Sequence, residues 1–184
     1  TLAGVATFDV SALAGGFTLG ATKVLQGSGI VTGAVATSAG SLIMPGGTAA
    51  AGTLVFTNDL ALNATTTNYF EIADNPWIGG GTNDLVCVAT NLAAANSMIS
   101  IGLLGPPTNA TYRLINYGGA MTVGFDTNLL GGNTTRKVWA LDTNTPNQVN
   151  LVVSGPEASN LIWRGYVNSA WDAGAGGTAN WSNL

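Results

Sequence analysis

Histidine is absent from this sequence, and cysteine occurs once, at Cys87. Without histidine there is no Ser-His-Asp or Cys-His nucleophilic set and no imidazole metal ligand. The usual proton carrier near neutral pH is missing as well. A single thiol can neither staple the chain nor build a thiolate metal site, so packing and backbone ladders must hold the fold. Cys87 itself, in DLVCVAT, reads as a small apolar core residue. Charge is scarce: 8% of the 184 residues, against roughly 25% in ordinary soluble domains. Five Lys plus Arg against nine Asp plus Glu leave a net charge of −4. That balance excludes a basic stripe for nucleic acid and an electrostatic grip on anionic lipid. No apolar run reaches the ~20 residues of a membrane helix, so no membrane insertion is expected within this segment. The opening TLAGVATFDV lacks the basic start and apolar block of a secretion signal, which for an exported chain would lie upstream or have been removed.

What remains is a β-forming chain. Hydrophobic residues make up 46%, and 26 glycines supply tight corners. Short apolar alternations predict strands at 5–10, 17–19, 29–35, 41–44, 53–56, 60–62, 68–73, 84–89, 98–103, 112–117, 121–125, 137–141 and 148–153. The last two are joined by DTNTPN as a hairpin-like or solenoid loop. Along many of them one parity is apolar (Leu54, Phe56; Phe70, Ile72; Ile99, Ile101, Leu103) and the other polar, as a strand with one buried face requires. A β-sandwich gives the same local signal. Short strands, frequent corners and small-residue stretches such as GAVATSAG and GGTAAAG favour a parallel β-solenoid. Coils of roughly 20 residues would give about 7–9 of them and a rod of about 35–45 Å. The solenoid body is placed at 1–155, with a Trp-rich tail or junction at 156–184.

The order of certain phrases is more specific than the statistics. GSGIVTG (27–33), GSLIMPGG (40–47), Asn83-Asp84 and YRLINYG (112–118) follow one another at set intervals. This order resembles the autotransporter-associated β-strand repeats of very large bacterial surface proteins. The closing NLIWRGYVNSAWDAGAGGTANW (160–181) is similar to the Trp-containing phrase that opens a fresh unit in such proteins. The resemblance implies a right-handed parallel β-helix, exported to the surface of a Gram-negative-type bacterium as part of a repetitive passenger region. Low charge and a Thr- and Asn-rich surface add the expectation of a non-enzymatic structural or adhesive role, with a polysaccharide-degrading enzyme as the reading the dispersed acids least favour. No second copy of the whole order is present, and no capping element is visible at either end. Self-association, or covalent continuity with neighbouring repeats, is the partner expected.

Candidate chemistry is sparse. No cofactor or metal site is expected, and no residue is assigned a catalytic role. Of the nine acids, Glu71, Asp74 and Asp84 could meet across the loop holding Pro76 and Gly81, although loop carboxylates are ordinarily solvated. Asp59 and Asp84 suit hydrogen bonds to corner amides. Trp77 could stack on a surface glycan, which would make the chain a carbohydrate-binding module. Trp139 is expected to pack on the body. Trp163, Tyr166, Trp171 and Trp181, clustered in the tail, are expected to contact a neighbouring unit.

Overall fold

The computed structural model describes residues 6–78, 81–128, 133 and 136–156, together with the backbone of 161–163 and 181–183. Four coils of three strands succeed one another along the chain. The first holds β1 (Thr7–Asp9), β2 (Phe17–Leu19) and β3 (Val24–Gly27). The second holds β4 (Gly29–Thr32), β5 (Val35–Thr37) and β6 (Leu42–Pro45). The third holds β7 (Thr53–Phe56), β8 (Leu60–Ala61) and β9 (Thr67–Ile72). The fourth holds β10 (Leu85–Val88), β11 (Leu92–Ala93) and β12 (Met98–Leu103), and β13 (Ala110–Tyr117) with β14 (Met121–Thr122) begin a fifth.

Every strand of these coils pairs with the equivalent strand one coil away. One wall runs β1-β4-β7-β10-β13, a second β2-β5-β8-β11-β14 and a third β3-β6-β9-β12, all parallel. A sandwich would instead set mostly antiparallel neighbours face to face. The chain is a parallel β-solenoid.

Coil length corrects the sequence expectation. Thr7 lies opposite Ile30, Ile30 opposite Val55, Leu54 opposite Val86 and Val86 opposite Ile115, so successive coils take 23, 25, 32 and 29 residues. The short figure survives only where no loop intervenes: Phe17 faces Val35 and Val24 faces Leu42, both 18 residues on. Corner loops lengthen the other coils, so the described residues complete fewer coils than a uniform coil of roughly 20 residues would give.

The turn from the second wall to the third is repeated almost unchanged. Lys23 N–H bonds Gly20 O, Ser41 bonds Ser38, Thr66 bonds Asn63 and Ser97 bonds Ala94, at 2.8–3.2 Å. Each is a four-residue turn closed by its own backbone. Beneath them run stacked hydroxyls: Ser41 Oγ lies 3.1 Å from Thr66 Oγ1, which lies 2.6 Å from Thr37 Oγ1. These buried hydroxyls satisfy one another and the Asn63 amide, so the corner carries polar groups into the interior without orphaning them.

Inward side chains form ladders. Val31, Phe56, Val88 and Tyr117 are in register along the first wall, and Val35, Leu60 and Leu92 along the second, all buried. Burying each such side chain contributes roughly 1.5–3 kcal/mol. The same alternation moves Cys87 from where the sequence reading put it. Val86 and Val88 point inward, so Cys87 falls on the outer face, half-buried, with Asn116 Nδ2 at 4.0 Å from its sulfur. Its strand is apolar on both sides of it, and parity rather than polarity decides its place.

Beyond β13 the chain reverses. β15 (Val138–Asp142) and β16 (Gln148–Ser154) form a hairpin, and β16 pairs antiparallel with β13. A bulge at Leu114 accommodates the change: Arg113 faces Asn150, and Ile115 faces Val149. On this wall a hairpin therefore follows the last parallel strand, where the sequence shows no capping element. Trp139, on β15, packs against the core as expected. A separate antiparallel pair joins β17 (Leu161–Trp163) and β18 (Trp181–Asn183).

The stacked corners predict which glycines are indispensable. A Cβ on Gly52 would overlap Gly46 Cα and Ser28 Oγ, whereas one on Gly124 would meet nothing within 4 Å. Gly52→Ala should therefore destabilise by about 1–3 kcal/mol and Gly124→Ala by less than about 0.5. Urea midpoints of the two variants beside the parent check this, and equal midpoints would refute it.

Candidate functional site

The corner returning from the third wall to the first changes most from coil to coil. In the first coil it is only Ser28, between β3 and β4; in the second it is residues 46–52; in the third it is residues 73–84. Each longer loop must bury or satisfy its own backbone, and two acidic side chains perform that task.

Glu71 closes β9 on the outer side, yet it is buried. Its Oε1 accepts the Ala49 amide at 3.0 Å and its Oε2 the Ala50 amide at 3.0 Å, both from the loop one coil earlier. Tyr69 Oη adds a longer bond of 3.3 Å to Oε1. Asp84 is wholly buried. Its Oδ1 accepts the Gly52 amide and its Oδ2 the Glu71 amide, each at 2.8 Å. Asp84 thus touches two consecutive coils, and its own N–H donates to Glu71 O at 2.9 Å. Together the two carboxylates clamp the base of both loops.

The expectation that these acids are solvated is overturned for Glu71 and Asp84, whose oxygens are engaged on backbone amides deep in the corner. Asp74 does not join them. It is exposed, and no group of three or more His, Cys, Asp or Glu that could hold a metal ion occurs among the described residues. The reading of Asp59 and Asp84 as partners of corner amides agrees with the structure: Asp59 Oδ1 accepts from the Asn91 amide at 3.0 Å and Thr90 Oγ1 at 2.6 Å.

Burial pushes Asp84 up to about 7, against the pull of the Glu71 and Gly52 amides, and the charge of Glu71 adds to the rise. Partial burial, then the neighbouring Glu71, raises the Tyr69 phenol. In the exposed corners the direction is opposite. Hydrogen bonds from Thr90 and Asn91 hold Asp59 low, and those from Thr145 and Asn144 hold Asp142 low.

Asn83 organises the loop above the clamp. Its Oδ1 accepts the Ala73 amide at 2.8 Å, and its Nδ2 donates to Asn75 O and Trp77 O, each at 2.7 Å. Asn75 Oδ1 in turn accepts the Trp77 amide at 2.8 Å. The loop is therefore pinned from within while its tip faces outward: Trp77 is 74% exposed and Ile78 56%. A pre-ordered, exposed indole offers a flat face for a sugar ring or an apolar side chain at little cost in ordering.

Trp163 and Trp181 stand directly opposite each other where β17 meets β18. Their side chains, and the whole of Tyr166 and Trp171, lie outside the described residues. Sequence reasoning missed Asn83 as the organiser of the loop. The signal was the Asn83-Asp84 step itself, two side chains able to bond backbone immediately before a strand.

The chain is similar to the adhesin BmaC autotransporter of Brucella suis biovar 1 (strain 1330). The two are 34% identical over 145 residues, an alignment that covers 74% of this chain and 4% of that protein. The chain thus corresponds to a small part of that relative's length. No family model matches the chain, and no solved structure matches it.

The clamp and the loop acid should separate cleanly on substitution. Glu71→Ala leaves the Ala49 and Ala50 amides without their acceptor and should destabilise by about 2–4 kcal/mol. Asp74→Ala, on the exposed part of the same loop, should stay within about 0.5 kcal/mol. Thermal melts of the two proteins decide the point, and a Glu71→Ala protein as stable as the parent would show that the clamp carries no load.

Proposed function

We propose that this chain is a section of the exported passenger of a bacterial surface adhesin, of the autotransporter-associated β-strand repeat type. In this reading it serves as a non-catalytic solenoid spacer at the surface of a Gram-negative-type cell. The observation that carries the reading is the ladder of in-register parallel coils in a chain similar to part of an autotransporter adhesin. A coil ladder extends without limit by adding further coils, which suits a structural element that must reach away from a cell. The arrangement of the acids supports the absence of catalysis: each oxygen of Glu71 and Asp84 already accepts a backbone amide, leaving neither carboxylate directed at a substrate. Antibodies raised against residues 6–156 should label intact cells of the source bacterium. Labelling only after the cells are permeabilised would overturn the assignment.

A second reading has a specific observation in its favour. Trp77, braced and exposed beside Ile78, is the feature a carbohydrate-binding module would need. If the loop binds glycan, Trp77→Ala should weaken binding on a glycan array about tenfold or more at unchanged melting temperature. Equal binding by parent and variant would remove Trp77 from that role.

A further inference from the structure

The 73–83 loop is tied to the solenoid body through the two buried carboxylates. Asp84 receives the amides of Gly52 in the earlier corner and Glu71 at the end of β9, while Glu71 receives those of Ala49 and Ala50. Among the described residues, Glu71 of β9 is the titratable group whose charge acts on Asp84, and the Tyr69 hydroxyl, also on β9, meets Glu71. The 46–52 corner contributes backbone amides, and the turn before β4 contributes the Ser28 hydroxyl, which accepts the Thr53 amide at 3.3 Å. The groups acting on Asp84 include no lysine or arginine. Two carboxylates in one dry corner, neutralised by dipoles alone, can share the site comfortably only while one of them holds a proton.

We propose that the Glu71–Asp84 clamp is a pH-sensitive latch, closed while Asp84 is protonated and loosened once Asp84 ionises beside Glu71, so that acidity sets how firmly the Trp77 loop is held. Protonated Asp84 still accepts both amides, because hydroxyl and carbonyl oxygens alike are acceptors. On ionisation the amide bonds persist, but repulsion from Glu71 and the loss of hydration are no longer offset. Opening the corner to water relieves both.

The direction follows from linkage. In the closed corner Asp84 holds its proton up to about 7. In the opened, solvated corner it releases the proton near the ordinary carboxylate value of about 3.9. The stability of the closed form is therefore complete below about 4 and is lost as pH rises through about 7, beyond which it stays level. The latch does not depend on what Trp77 touches, so it can fail or hold independently of the adhesin reading.

The test is amide exchange on the whole chain, followed from pH 5 to pH 8 and corrected for intrinsic rates. Protection of the Gly52 and Glu71 amides should fall by at least about tenfold across that range, while amides of β4 and β7 hold level. Asp84→Asn, which cannot ionise, should flatten the profile. Should that variant fold poorly, the carbon-13 shift of the Asp84 carboxyl in the parent gives the same decision. Titration near neutrality, at the pH where the fall in protection levels off, upholds the latch. Titration in the ordinary carboxylate range, a flat parent profile, or an equal fall in Asp84→Asn overturns it.

Discussion

A parallel coil ladder binds each residue to the residue one coil away, about 4.8 Å along the axis, and the rest of this structure follows from that constraint. Stacking Val31 on Phe56, Phe56 on Val88 and Val88 on Tyr117 makes each apolar choice dependent on its two neighbours. It also makes the interior insensitive to coil length, because register is fixed within the walls and any surplus residues are expelled at the corners. Coils of 23, 25, 32 and 29 residues can therefore share one core.

The expelled residues are where the molecule acquires individuality, and their backbone must be satisfied without a ladder of its own. The turns between the second and third walls manage this with a single backbone bond each and a shared column of hydroxyls. The longer corners between the third and first walls cannot, and they recruit side chains from the next coil. Glu71 reaches back to Ala49 and Ala50, and Asp84 to Gly52. In the short corner between the first and second walls the direction is reversed, and Asp59 receives the Asn91 amide from the coil ahead. A chain with few charges spends several of them on its own backbone amides.

Much of this architecture was legible in the sequence, and the exceptions have physical causes. Strands 53–56 and 98–103 were read to the residue, because each carries two or more inward positions at period two. The two-residue strand Leu92–Ala93 escaped, since two residues have no period. Glu71 and Asp84 were singled out together with Asp74, which stays exposed and apart, and the burial of the two that do meet was not foreseen. Whether a carboxylate near a loop is solvated depends on which amides of another coil lie above it, and that is set by the lengths of two loops some 20 residues apart. Cys87 was placed in the core because its neighbours are all apolar. Its parity, fixed by pairing Val55 with Cys87, sends it outward.

The same logic explains why the exposed Trp77 and the costly buried acids occupy one corner. A side chain offered to a partner must stand clear of the walls, and only an enlarged loop carries it there. An enlarged loop in a solenoid leaves unpaired amides at its base, where water is excluded by the coils on either side. Neutral acceptors could serve them, but a carboxylate offers two oxygens at once and can bridge two coils, as Asp84 does. The consequence is an ionisable group penalised by burial at the base of the loop that carries the most exposed indole described in the molecule. Presentation of Trp77 and sensitivity to protons are therefore coupled by geometry. A variant that shortened the 73–83 loop would relieve the acids of their task and withdraw the indole in the same step.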